Sequence, residues 1–192
     1  MKVKPNNYIA IEFPSRSVNE GLARAAVAAF AAQLDPTLDE LGDIKTAVSE
    51  AVTNAIVHAY PQEIGKIALR ACIFDGNLLE ITVRDWGCGI ADVEKAREPL
   101  YTTGGEERSG MGFTIMESFM DAVKVRSTPG KGTVVTLARG CGAGRRAGLR
   151  ANAAREQRPH MEHRAALLRP RRGAGRPLSA RMPWIHQSNK GI

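Results

Sequence analysis

Apolar positions in the first two thirds of the chain switch between the period of strands and the period of helices. Tyr8-Ile9-Ala10-Ile11-Glu12-Phe13 alternates and stops at Pro14, which predicts a first strand. Ser17-Val18-Asn19-Glu20 has the spacing of a capping box, in which a serine hydroxyl and a glutamate carboxylate each satisfy a backbone N–H at a helix start. The alanine-rich helix it opens is predicted to run to about Leu34. Thr37-Leu38-Asp39-Glu40 repeats the device after Pro36. A second helix follows with Leu41, Ile44, Val48, Val52, Ala55 and Ile56 turned to a core, and it stops at Tyr60-Pro61.

Lys66–Phe74 and residues 78–84 are β-rich runs joined by Asp75-Gly76-Asn77, the pattern of a hairpin. A glycine turn at 87–89, a short helical piece at 91–97 and a polar, glycine-containing loop at 98–109 come next. Residues 110–120 read as a helix that opens on Gly110-Met111-Gly112. Residues 123–127 and 133–138 form a closing hairpin across Pro129-Gly130. The order β-α-α-β-β-α-loop-α-β-β, without internal repeats, predicts a two-layer α/β sandwich: a mostly antiparallel sheet covered on one face by helices.

A length of 192 residues allows one domain, or one domain with an appendage. The formal charge of +7 points toward nucleic acid or membrane, but it hides a division. Residues 140–192 hold 12 of the 27 Lys and Arg and only two acids, Glu156 and Glu162, a net +10 that leaves residues 1–139 at −3. Only six of those 53 residues are Leu, Ile, Val or Phe. That is too little apolar surface to offset an ordering entropy of roughly 1–2 kcal/mol per residue. A domain over 1–139 and a disordered tail over 140–192 are expected, the tail with at most a frayed helix near 161–168. His160, His163 and His186 lie in the tail without metal-ligand spacing.

Cys72, Cys88 and Cys141 form no disulfide framework and read as reduced thiols. The first residues lack an apolar leader, and no run approaches the roughly 18 apolar residues of a membrane span. A cytoplasmic protein is expected.

The candidate chemistry lies in three places. No segment fits G-x-x-x-x-G-K-[ST], and Gly130-Lys131-Gly132-Thr133 lacks the first glycine at the right distance, so a phosphate-binding P-loop is excluded. Glu50 and Asn54, four apart on the second helix, share a face that continues to His58 and lies largely off the apolar stripe. A solvated surface pair has the same spacing. An amide oxygen also suits Mg²⁺, and a carboxylate beside it suits a general base. Asp85 closes a strand before Gly87 and Gly89; a carboxylate there can accept the exocyclic N–H of adenine, with glycines letting backbone approach the base. Gly110 and Gly112 stand where a loop meets a helix start, whose N–H groups favour phosphate oxygens.

In this order the motifs resemble the Bergerat-fold ATPases, the group of gyrase B, Hsp90, histidine kinases and MutL. Glu50-Ala51-Val52-Thr53-Asn54 is similar to the group's N box, Asp85–Ile90 to its first glycine box and Gly110-Met111-Gly112 to its second. Residues 49–56 and 107–117, with Ala28-Ala29-Phe30 and Gln33-Leu34-Asp35-Pro36-Thr37, narrow the resemblance to the anti-sigma F factors of endospore-forming bacteria, the SpoIIAB-type proteins, over about residues 7–138.

The resemblance implies a Bergerat ATP-binding fold and a homodimer that binds ATP and Mg²⁺. It implies sequestration of the sporulation sigma factor F and phosphorylation of a serine on a SpoIIAA-like anti-anti-sigma factor. Glu50 would be the catalytic base, Asn54 the Mg²⁺ ligand and Asp85 the adenine-reading acid. Gly87, Gly89, Gly110, Met111 and Gly112 would shape the nucleotide pocket, helped by Thr133. Thr102, Thr103, Arg108 and Ser109 would belong to a lid over 98–109, with Arg108 a candidate for the γ-phosphate. Arg24 would contact the partner, and His58 is expected to be structural. A sigma-factor binder gated by nucleotide without phosphoryl transfer is the alternative.

Two departures stand out. Trp86 occupies a glycine-box position where a smaller or charged residue is usual, and it is expected to alter access to the pocket. Residues beyond about Ala138 match nothing in the family. Their Arg-Ala-Gly-Pro richness suggests an altered reading frame, which the nucleotide sequence near codon 139 would test; the other reading is a basic arm on nucleic acid, a partner expected nowhere else on the chain.

Overall fold

The computed structural model describes residues 4–98 and 111–142. The expected lid from residue 99 onward and the tail from residue 143, including the frayed helix expected near 161–168, lie outside the described residues. The strands are β1 (Asn7–Pro14), β2 (Lys66–Phe74), β3 (Leu78–Asp85), β4 (Ala122–Thr128) and β5 (Gly132–Gly140). The helices are α1 (Val18–Ala31), α2 (Leu38–His58), α3 (Val93–Arg97) and α4 (Gly112–Phe119), with a 3₁₀ turn over Ala32–Leu34 after α1. The element order is the one the periodicity predicts. The five strands form one sheet in the order β1-β2-β3-β5-β4, and every neighbouring pair is antiparallel.

Alternation along the strands assigns the faces. Leu69, Leu79, Ile81 and Leu137 lie at no more than 1% exposure in one core with Val27, Phe30, Ile44, Val48, Val52 and Met116 of the helices. Each such burial contributes about 1.5–3 kcal/mol. The opposite face is largely polar, with Arg70, Glu80, Thr82, Arg84 and Thr136 half-buried on it and Arg126 exposed, apart from a small buried cluster of Cys72, Phe74, Leu78 and Ala138. Among the described residues, no helix is long and apolar enough to cross a membrane.

Helix starts differ from the sequence reading at one place. The Thr37 capping box is present: Glu40 N–H donates to Thr37 Oγ1 at 3.2 Å and Thr37 N–H to Glu40 Oε2 at 2.9 Å. The predicted box at Ser17 is absent; Ser17 has helical backbone angles and makes no side-chain cap bond. The Glu20 carboxylate is drawn away, accepting from the Ser49 hydroxyl of α2 and pairing with Arg24 at 3.6 Å. A tertiary partner outcompetes the local one.

β5 continues two residues past its predicted end, and the residues after Ala138 are stitched to α2, to α4 and to the turns before β3 and β4. The Arg139 guanidinium, 4% exposed, pairs with Asp43 of α2 at 2.8 Å and donates to the Phe119 carbonyl. Gly140 N–H donates to Asp121, Cys141 N–H to the Asn77 carbonyl and Gly142 N–H to Glu40 Oε2. Cys141 is fully buried.

Candidate functional site

The last turns of α2, the end of β3 and the start of α4 meet at one end of the helix layer. The apolar stripe of α2 (Ile44, Val48, Val52, Ala55) is buried against the sheet, which turns Glu50 and Asn54 toward α4. A Cβ on Gly112, the first residue of α4, would lie 3.0 Å from Glu50 Oε2 and 3.2 and 3.3 Å from the Asn54 carboxamide nitrogen and oxygen. The pair is therefore half-buried beneath the second glycine turn rather than solvated. Neither side chain has a hydrogen-bond partner among the described residues. Burial raises the Glu50 carboxyl above its ordinary range.

Asp85 is 5% exposed at the end of β3. Its Oδ1 accepts the N–H of Gly87 and the N–H of Thr133, both at 3.0 Å, and its Oδ2 has no hydrogen-bond partner among the described residues. Burial pushes its pKa up, opposed by those two N–H groups and by the charge of Arg84. Thr133 Oγ1 lies 2.9 Å from Ser127 Oγ, and Ser127 Oγ accepts from Ile90 N–H, so β4, β5 and the first glycine turn share one network.

That turn is wedged between backbones. Gly87 packs against the Ala59 carbonyl and Gly89 (φ +70°) against the Thr128 carbonyl, while Cys88 N–H donates to Ala59 and Cys88 O accepts from Gly130 N–H. Gly132 (φ +90°) has the Asp85 carbonyl oxygen 2.3 Å from where a Cβ would be. The first-box glycines thus face protein backbone, a demand that no count of glycines in the sequence distinguishes from a demand made by a ligand.

Trp86 is not where the sequence reading expected it. Asp85 belongs to the helix-facing side of β3, and one residue later the pleat has reversed. The Trp86 ring lies on the polar face between the Lys66 ammonium at 4.2 Å and the Arg84 guanidinium at 4.6 Å. The Trp86 backbone N–H donates to Tyr60 Oη at 2.8 Å.

The remaining predicted residues divide in two. Arg24 is exposed on α1 and joined through Glu20 to Ser49, the residue before Glu50, a link that the sequence pattern did not signal. Met111 caps α4 and is 39% exposed. His58 sits in the last turn of α2, where its carbonyl accepts from Cys88 Sγ at 3.0 Å. Thr102, Thr103, Arg108, Ser109 and Gly110 lie outside the described residues.

The residues fit a magnesium nucleotide. Among the described residues Asn54 offers an uncommitted amide oxygen and Glu50 an uncommitted carboxylate, the hard oxygen donors that Mg²⁺ takes. Asp85 holds one oxygen fixed by backbone and keeps the other available to an N–H donor. The α4 N-terminus lies directly over the pair and supplies N–H groups suited to phosphate.

Residues 13–139 match the histidine kinase-like ATPase domain family. ATP is the nucleotide of such domains. A protein named anti-sigma F factor from Caldanaerobacter subterraneus subsp. tengcongensis is 59% identical over 141 residues, 73% of this chain and 98% of the relative. One of the same name from Pasteuria penetrans is 59% identical over 133 residues, 68% and 89%. A solved structure of RsbU and RsbW domains from Mycobacterium tuberculosis, at 20% identity and a TM-score of 0.50, covers 70% of this chain and 32% of its own, and shares the fold. With residues 13–139 matching that family and relatives at 59% identity, the chain belongs to the histidine kinase-like ATPase domains and, among them, to the anti-sigma F factor family.

Proposed function

We propose that this chain is a sigma-factor-sequestering protein and an ATP-dependent protein serine kinase. It holds the sporulation sigma factor F, and it phosphorylates a serine on a SpoIIAA-like anti-anti-sigma factor. The reading is carried by Glu50 and Asn54, which lie beneath Gly112 without a hydrogen-bond partner among the described residues, in a chain whose relatives are named for anti-sigma activity.

Phosphoryl transfer asks a protein mainly for positioning and charge neutralisation. Glu50 accepts the proton of the partner's serine hydroxyl; its raised pKa makes it a stronger base than an exposed glutamate. Asn54 would hold Mg²⁺ through its carboxamide oxygen. When bound, Mg²⁺ neutralises charge on the phosphate oxygens. Asp85 Oδ2 accepts the adenine amino group while Gly87 and Thr133 keep Oδ1 in place. Gly89 fixes the turn behind the base, and the N–H groups at Met111 and Gly112 face the phosphates. Thr102, Thr103, Arg108, Ser109 and Gly110, outside the described residues, are proposed as nucleotide contacts on the family resemblance alone. Arg24 meets the partner beside Ser49, and two copies of the chain act together in the cytoplasm.

The test is incubation of the purified chain with labelled ATP, Mg²⁺ and the candidate antagonist, scored for phosphoserine. Glu50→Gln is expected to keep ATP binding and to lose at least about 100-fold in transfer rate. Transfer by Glu50→Gln at the wild-type rate refutes the base assignment. Sigma binding by a wild-type chain that takes up ATP but transfers nothing identifies a non-catalytic, nucleotide-gated binder.

A further inference from the structure

The polar face of the sheet carries a cluster that the nucleotide chemistry does not use. Pairing of β3 with β5 sets Arg84 opposite Val134, and pairing of β4 with β5 sets Arg126 opposite the same Val134. The two arginines therefore flank one valine in a single row across three strands. With neighbouring strands about 4.8 Å apart, their backbones are roughly 10 Å apart. Lys131, from the β4–β5 turn, joins them, and all three line a cavity of about 230 Å³ with Asp85, Thr128 and Val134.

The cluster is unbalanced. None of Arg84, Arg126 and Lys131 forms an ion pair among the described residues, and Arg84 reaches the Asp85 carboxylate only through its charge. Other cations on this face are occupied: Lys66 pairs with Glu12 at 3.5 Å, and Arg70 stacks on Tyr8 at 4.2 Å. The one acid in the cavity wall, Asp85, directs its carboxylate to the helix side of β3, where Gly87 and Thr133 hold its Oδ1. Three cations against one acid leave the lining positive, and a bound anion relieves their mutual repulsion. Guanidinium groups match phosphate oxygens bidentately, and an ammonium adds a point charge. The cavity is smaller than the about 300–1,000 Å³ typical of pockets for drug-sized ligands.

We propose that this cavity is an oxyanion site for a small ligand of one or two phosphate groups, separate from the nucleotide pocket. Arg84 and Arg126 grip the oxygens from the two sides of Val134, and Lys131 closes over them from the turn. The inference is independent of the kinase reading: a chain that transfers no phosphate would still bind here. It also gives Trp86 a use, because its ring stacks on Arg84 and reports any movement of that guanidinium.

The experiment titrates inorganic pyrophosphate, without Mg²⁺, into the full chain carrying Trp184→Phe, so that Trp86 is the one tryptophan left. Binding is read by calorimetry and its location by Trp86 emission. The expected result is saturable binding with Kd below about 1 mM and a change in emission. Arg126→Ala and Lys131→Ala, both at exposed positions, should each weaken it about tenfold or more, Arg126→Lys should restore part of the loss, and Asn54→Ala should leave it unchanged. No saturable binding up to about 10 mM overturns the proposal. So does equal affinity in Arg126→Ala and Lys131→Ala, or loss in Asn54→Ala, which would assign the ligand to the nucleotide pocket. Binding of a short single-stranded DNA in place of pyrophosphate overturns it too, making the patch a surface for a phosphodiester backbone.

Discussion

Gly112→Ala separates the packing of this end of the molecule from its chemistry. Gly112 begins α4 and its backbone is not left-handed, so alanine can adopt the conformation. Alanine is favoured over glycine by about 0.8–1.0 kcal/mol inside a helix, and the gain is smaller at a first turn. Against it stands the new methyl group, 3.0 Å from Glu50 Oε2 and 3.2–3.3 Å from the Asn54 carboxamide. Both neighbours are ends of flexible side chains and need yield only by tenths of an ångström. Shifting a side chain off its preferred rotamer costs about 0.5–1.5 kcal/mol. The two effects nearly cancel, so stability should stay within about 1 kcal/mol of wild type, a few degrees in Tm.

The functional effect has no such compensation. The displaced atoms are the proposed metal ligand and the proposed base, and an alanine Cβ occupies the space between them and the phosphate-facing helix start. Affinity for Mg·ATP should fall about tenfold or more, equivalent to about 1.4 kcal/mol. Phosphoryl transfer should fall further, since misplacement by about 1 Å can cost about 100-fold. Thermal unfolding and calorimetry on the same preparation measure the two quantities. Wild-type affinity together with wild-type Tm would refute the reasoning, because Gly112 would then touch nothing that the nucleotide uses. A collapse in Tm would also refute it, by making the contact a matter of folding.

The remaining expectations follow from the same geometry. Gly132→Ala meets fixed backbone, with the Asp85 oxygen 2.3 Å and Trp86 Cα 2.6 Å from the new Cβ at a φ of +90°; it should lose about 3 kcal/mol or more in urea unfolding, and an unchanged midpoint would refute the contact. Glu50, with its pKa raised by burial, should cost phosphotransfer activity as pH falls through a range above that of an ordinary glutamate, and a pH–rate profile that is flat there would exclude it as the base. In folding the sign reverses: the raised pKa means that the native state disfavours the carboxylate, so this penalty is present above the folded pKa and gone below the unfolded one. Glu50→Gln should therefore melt above wild type at neutral pH, with the advantage vanishing in acid.

Elements whose reason is local were legible in the chain. The Asp75-Gly76-Asn77 turn, the Thr37 cap and the apolar stripe of α2 each follow from residues within a few positions of one another, and each is found in the structure. Ser17 failed as a capping box because Glu20 has a better-placed partner 29 positions away in Ser49, which no local pattern encodes. The spacing of Glu50 and Asn54 predicted a shared face but could not distinguish a solvated face from one roofed by α4. Only the tertiary contact with Gly112 does that. Arg139, the last residue of the expected domain, owes its burial to Asp43 and to the Phe119 carbonyl, again across the fold.

The first glycine box shows why a linear motif can be right as a signature and wrong as a description of one site. Asp85-Trp86-Gly87 is a single unit in sequence, yet a strand reverses its side chains at each residue. Asp85 is thereby committed to the helix side, where Gly87 and Thr133 orient it, and Trp86 to the other side, between Lys66 and Arg84. A bulky residue at position 86 therefore has no direct path into the nucleotide pocket, and its size is accommodated by two cationic stems on the polar face. The pocket is held instead by backbone: Gly132 lets β5 close on the Asp85 carbonyl, which brings the Thr133 N–H within 3.0 Å of the Asp85 carboxylate. Substitutions at 86 and at 132 should then separate, the first acting on the polar face and the second on the placement of the acid.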